Sequence, residues 1–104
     1  MWFLILLRKE YLKEKPICKV TFSLPEAIQA ESAHLLGDFN NWNPAKAAMK
    51  KQKDGRFTIT LNLDKGREYQ FRYLVNNTEW HNEWAADKYV VNPFNEDNSV
   101  VMIQ

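Results

Sequence analysis

The stretch Phe57-Thr58-Ile59-Thr60-Leu61-Asn62-Leu63-Asp64-Lys65-Gly66-Arg67-Glu68-Tyr69-Gln70-Phe71-Arg72-Tyr73-Leu74-Val75 decides the fold. Phe57, Ile59, Leu61 and Leu63 alternate with Thr58, Thr60 and Asn62, the period of two that a half-buried strand requires. Asp64-Lys65-Gly66 then breaks the pattern with turn-forming residues, and Tyr69, Phe71, Tyr73 and Val75 alternate with Gln70, Arg72 and Leu74. Two such runs across a short turn predict a β-hairpin. In the second strand, Arg72 falls on the face opposite the aromatics.

The same pattern continues outward in both directions. Upstream, Asp54-Gly55 is a turn signal, and Ala33-His34-Leu35-Leu36 is a short apolar run that closes at Gly37. Cys18, Val20, Phe22 and Leu24 alternate with Lys19, Thr21 and Ser23, and Pro25 ends that strand. Downstream, Asn76-Asn77 turns the chain before a short strand at Glu79-Trp80, and Tyr89-Val90-Val91 and Ser99 to Ile103 supply the last two. No segment carries a helical period. About seven short strands, with turns every eight to twelve residues or so, predict an all-β chain, an antiparallel β-sandwich or small barrel.

At 104 residues the chain matches one compact domain. Hydrophobic residues at 45% and charged residues at 26% exclude intrinsic disorder. Aromatics reach 13%, more than a small core hides, so some are expected at the surface. The net charge of +1 supplies little drive towards nucleic acid or an anionic membrane, and neither is expected as a partner. The basic run Lys46, Lys50, Lys51, Lys53 and Arg56 reads as a solvated loop rather than a strand-binding groove. Cys18, the single cysteine, is expected as a small buried hydrophobe.

Residues 1–14 read as an apolar and charged amino-terminal extension ahead of a domain spanning 15–104. Within the extension Trp2-Leu7 is apolar but too short to cross a bilayer, and it lacks the basic region and cleavage site of a signal peptide. The expectation is a cytoplasmic protein. The segment reads either as an extra strand or short helix packed on the domain, or as a weak homodimer contact.

Catalytic readings fail on inventory. His34 and His81 have no partner in a recognisable nucleophile motif, and Cys18 lies inside a strand. Glu79, Glu83 and Asp87 could supply a glycosidase pair, but a sandwich of this size lacks the deep cleft such a pair needs. No metal-ligand spacing or phosphate-cradling glycine loop is present, so neither a cofactor nor a metal is expected. Aromatic and amide chemistry remains. A glucose ring offers an apolar C–H face and a rim of hydroxyls, which calls for flat aromatic platforms ringed by amides and cations. Trp42 lies among Asn40, Asn41 and Asn43, and Trp80 follows the polar turn Asn76-Asn77-Thr78-Glu79. Each reads either as an exposed platform or as a cap on the end of the core.

Gly37-Asp38-Phe39-Asn40-Asn41-Trp42, the run Tyr69 to Val75 followed by a turn and Trp80, and Asn98-Ser99-Val100-Val101 together resemble the isoamylase early-set, family 48 carbohydrate-binding modules. The resemblance covers roughly Lys15 to Gln104. It implies an immunoglobulin-like (early-set) antiparallel sandwich that binds α-glucans such as glycogen, starch or malto-oligosaccharides without catalysis. The glycogen-binding domain of the AMP-activated protein kinase β subunit is one such module, and others precede glycogen branching and debranching enzymes. A glycogen-metabolising enzyme or a kinase-like partner is therefore implied, although the chain ends at Gln104 just after its last strand and reads as freestanding. Carried over by position, the stacking tryptophans are Trp42 and Trp80, Arg72 stands where the family has lysine, and Asn98 matches the family asparagine. Phe94 falls at a leucine position and Glu96 at a threonine position, while the turn before Trp80 is one residue longer than the family's. The alternative is a protein-interaction or regulatory module whose sugar site has degenerated.

Overall fold

The computed structural model describes residues 7–24 and 28–104. Nine strands occur among these residues: β1 (Leu7–Tyr11), β2 (Ile17–Ser23), β3 (Ala33–Gly37), β4 (Lys50–Lys51), β5 (Phe57–Asp64), β6 (Arg67–Val75), β7 (Glu79–His81), β8 (Lys88–Val91) and β9 (Asp97–Ile103). They form an antiparallel sandwich, one sheet ordered β1-β2-β5-β4 and the other β3-β6-β9-β8, with β7 added along β6. Two strands exceed the expected seven. β1 arises from the stretch 1–14, and the two-residue β4 arises inside the basic run, where Lys50 and Lys51 pair with Thr58 and Phe57. Trp2 to Leu6, where a homodimer contact is expected, and Pro25, read as a strand terminator, lie outside the described residues.

The alternation within β6 holds residue by residue. Tyr69, Phe71, Tyr73 and Val75 are buried, whereas Gln70, Arg72 and Leu74 are half-buried on the outer face. Facing them across the sandwich are Cys18, Val20 and Phe22 of β2, each fully buried. Phe22 and Phe71 join the sheets edge to face, with centroids 5.0 Å apart and planes at 74°. Such a pair contributes about 0.5–1.5 kcal/mol beyond its buried area.

The predicted β5–β6 hairpin is not formed. β5 pairs with β2 and β4, β6 pairs with β3, β7 and β9, and Asp64-Lys65-Gly66 crosses from one sheet to the other. The crossing is held from both sides, because Lys65 N–H donates to Pro16 O at 3.0 Å and Gly66 N–H donates to Ile103 O at 2.6 Å. Gly66 has φ +78°, a conformation that costs a residue with a Cβ. Tyr69 completes the corner: its hydroxyl accepts from Asp64 N–H at 3.1 Å and donates to Asp64 O at 3.2 Å. A tyrosine that bonds back to the backbone a few residues upstream marks the inter-sheet corner of immunoglobulin-type sandwiches. The hairpin in this region is β6–β7, through Asn76-Asn77-Thr78, with Asn76 at φ 54° and Asn77 at φ 62°. Its register sets Trp80 opposite Leu74, on the outer face beside Arg72.

β1 is fastened across the open side of the sandwich. Lys9 Nζ donates to Asp87 Oδ2 at 2.7 Å and to Met102 O at 2.8 Å, and Gln104 N–H donates to the Tyr11 hydroxyl. Asp87, one of the carboxylates considered for acid chemistry, therefore ties the two sheets together.

Candidate functional site

An open groove of about 680 Å³ lies on the outer face of the β3-β6-β9-β8 sheet. Trp42, Arg72, Trp80, Phe94, Glu96 and Asn98 all line it, joined by Asp38, Gln70, Asn92 and Pro93. Residues far apart in the chain reach one surface because β6 supplies Gln70 and Arg72, β7 places Trp80 beside them, and Asn98 lies at the start of β9, next to Asp97. Two loops close the ends.

The first loop follows β3. A Cβ on Gly37 would lie 2.5 Å from Gln70 O and 2.8 Å from both Phe39 Cζ and Phe71 Cβ, so only glycine fits against β6. Phe39 then packs inward on Phe22, Tyr69 and Phe71. Asn40 caps the turn, accepting from Gly37 N–H at 3.1 Å and donating to Leu35 O at 2.9 Å. Asn41 and Trp42 adopt left-handed backbone, φ 56° and 57°. For a residue as bulky as Trp42 this costs on the order of 1–3 kcal/mol and persists only where neighbours enforce it. The enforcing group is Asp38. Its Oδ1 accepts the Trp42 indole N–H at 3.2 Å and its Oδ2 accepts Gln70 N–H at 2.8 Å, while Trp42 N–H donates to Gly37 O.

The second loop, between β8 and β9, is folded around Asn92. Asn92 Oδ1 accepts from Phe94 N–H at 2.9 Å and Glu96 N–H at 3.1 Å, and Asn95 sits at φ 63°. Asn92 Nδ2 donates to Asn98 Oδ1 at 3.1 Å, and Asn98 Nδ2 donates to Gln70 Oε1 at 3.1 Å. Asn98 is buried, and both ends of its amide are engaged in this relay. Phe94, by contrast, is 84% exposed.

Arg72 lies between the two loops. Its guanidinium sits 5.2 Å from the centroid of the Trp80 ring, within cation–π range, and Nη1 donates to Glu96 Oε1 at 3.1 Å. Trp80 remains 44% exposed.

With this surface in place, the chain compares with known proteins as follows. The family profile of carbohydrate-binding module 48 (isoamylase N-terminal domain) matches residues 14–94. The chain belongs to this family. Among relatives, an amylopullulanase of Thermoanaerobacterium thermosulfurigenes is 30% identical over 80 residues, an alignment that takes in 67% of this chain and 4% of that protein. The chain thus spans only a small fraction of that relative's length. Within the module, the family match includes Trp42, Arg72, Trp80 and Phe94 and stops short of Glu96 and Asn98.

Sequence reasoning did not single out Asp38, Gln70 or Asn92 as groove residues. Asp38 read as a turn former and its partner Gln70 lies 32 residues away, Asn92 was not read, and Gln70 was legible only through its register with Arg72. Trp84, 60% exposed, was also passed over, and it is not among the groove's lining residues. The three carboxylates weighed for acid chemistry are engaged separately. Glu83 is fully buried and accepts the Tyr73 hydroxyl at 2.6 Å, Asp87 holds Lys9, and Glu79 lies 3.4 Å from His81. Burial raises the Glu83 carboxyl above its ordinary pKa, against the opposing effect of the hydrogen bonds it accepts from Tyr73 and nearby backbone. Among the described residues no group of three or more His, Cys, Asp or Glu is placed to hold a metal ion, and no helix is long and apolar enough to cross a membrane.

Proposed function

We propose that this module binds α-glucan chains without catalysis, by stacking glucose rings on Trp42 and Trp80. The observation that carries the reading is their meeting in one groove with Phe94 and a border of amides, together with family membership. Trp42 is held by Asp38, so its ring is oriented before a ligand arrives. Trp80 presents a half-exposed ring backed by Arg72. Gln70 Oε1 is taken by Asn98, but no hydrogen bond engages Gln70 Nε2 among the described residues, which leaves its donors for sugar hydroxyls. Asn98 then acts by positioning Gln70 and the Asn92 loop. By analogy with base stacking, each aromatic platform contributes about 1–3 kcal/mol; two platforms and two hydrogen bonds of about 0.5–1.5 kcal/mol each together supply roughly 3–9 kcal/mol, which spans millimolar to micromolar dissociation constants.

Electrophoresis through gels containing glycogen tests the proposal. The wild type is retarded, Trp42→Ala and Trp80→Ala each lose most of the retardation, and Trp84→Ala, outside the groove, keeps it. Unchanged wild-type mobility, or retardation equal to wild type in both groove variants, overturns the reading.

A further inference from the structure

The charges in the groove are unevenly matched. Arg72 is the one cation among its described lining residues, set against the carboxylates of Asp38 and Glu96. Asp38 has both oxygens occupied, by the Trp42 indole and by Gln70 N–H. Glu96 is different, because its side chain is 59% exposed while it holds Arg72, whose own side chain is only 13% exposed. The guanidinium is thus covered by Trp80 on one side and engaged by Glu96 on another. An arginine that would otherwise receive an anion bidentately is neutralised, and the most exposed charge of the pair is negative. The Asn92 turn fixes this arrangement by bonding Glu96 N–H.

We infer that Glu96 is a specificity-determining residue that confines the groove to uncharged stretches of glucan and turns away segments bearing phosphate esters or other anionic groups. This rests on the glucan-binding reading above. A neutral glucose ring interacts with the groove through C–H faces and hydroxyls, so the Glu96 charge costs it little. A phosphate monoester carries about −1.5 to −2 charges near neutral pH. At about 7 Å in water the Glu96 carboxylate repels such a group by about 1 kcal/mol, and the paired Arg72 charge offsets part of that, so the ester is disfavoured by about two- to threefold. The Arg72–Glu96 pair keeps the guanidinium from bonding the ester directly.

The test compares maltotetraose with maltotetraose phosphorylated at O6 of its inner residues, by NMR titration of wild type, Glu96→Gln and Glu96→Asp at low and high salt. Wild type prefers the neutral ligand by about two- to threefold at low salt, and screening narrows that preference. In Glu96→Gln the ratio of neutral to phosphorylated affinity falls to about one or below, whatever its absolute affinity, whereas Glu96→Asp retains most of the wild-type ratio. Equal wild-type affinity for the two ligands, or an undiminished preference in Glu96→Gln, overturns the inference alone. Absence of wild-type binding to neutral maltotetraose overturns the glucan-binding reading and this inference together.

Discussion

The carboxylate of Asp38 bridges Trp42 and β6, accepting the indole N–H at 3.2 Å and the Gln70 amide N–H at 2.8 Å. One short side chain thus aligns the Trp42 ring with the strand that carries Arg72. Removing it in Asp38→Ala leaves Trp42 in its left-handed backbone without the partner that enforces it. A lost charge-assisted hydrogen bond is worth about 1.5–3 kcal/mol, so glycogen affinity falls by roughly tenfold or more while the sandwich remains folded. Gel retardation alongside far-UV circular dichroism checks both parts. Asp38→Asn keeps one acceptor oxygen and should lie between the two.

Gly37→Ala places a methyl group 2.5 Å from Gln70 O. The obstructing atoms include β6 backbone and the Cβ of a buried phenylalanine, so relief requires a shift of the strand itself. The expected destabilisation is about 1–3 kcal/mol, the usual range for overpacking. Urea unfolding should show a lower midpoint with an unchanged slope. The backbone here is extended, φ −174°, so the cost arises from close approach and not from chirality.

How much of this was legible beforehand depended on the range over which each feature is determined. Alternation in β6 is local, and it correctly placed Tyr69, Phe71, Tyr73 and Val75 inside and Arg72 outside. The choice between hairpin and corner at Asp64-Lys65-Gly66 is not local. Both faces of the sandwich bury alternate residues, so the pattern is identical for either, and the decision lies with Pro16 O, Ile103 O and the Tyr69 hydroxyl. The same holds at the site. Trp42, Trp80, Arg72 and Asn98 could be named from residue type and family resemblance, but Asn98 meeting Gln70 and Asn92 depends on the register of β9 with both β6 and β8.

That register leads to a prediction for Asn98→Ala. The substitution strands Gln70 Oε1 and Asn92 Nδ2 without partners in a partly buried setting, at a cost of about 1–3 kcal/mol. Stability and sugar affinity should fall together, because the loop bearing Phe94 and Glu96 loses its anchor. Asn98→Asp separates the two ends of the relay. Its carboxylate still accepts from Asn92 but cannot donate to Gln70 Oε1, so the loop is retained and affinity falls through Gln70 alone. Thermal unfolding paired with maltotetraose titration of both variants measures the difference.

Glu83 gives the module a pH dependence with a definite sign. Its carboxyl is fully buried beneath Tyr73, and burial raises its pKa above the ordinary 4.5. Below 4.5 the group is protonated whether the chain is folded or not. As pH rises above that value the unfolded chain releases the proton first while the folded chain retains it, so this group's contribution to stability declines. The decline ends once pH passes the raised folded value, and above that the full penalty of burying the anion is present. Glu83→Gln removes this titration and keeps an acceptor for Tyr73. The stability difference between wild type and variant, measured by denaturant unfolding across the acid to neutral range, should therefore shift in the variant's favour as pH increases from about 4.5. A difference independent of pH would mean that Glu83 titrates alike in the folded and unfolded chains.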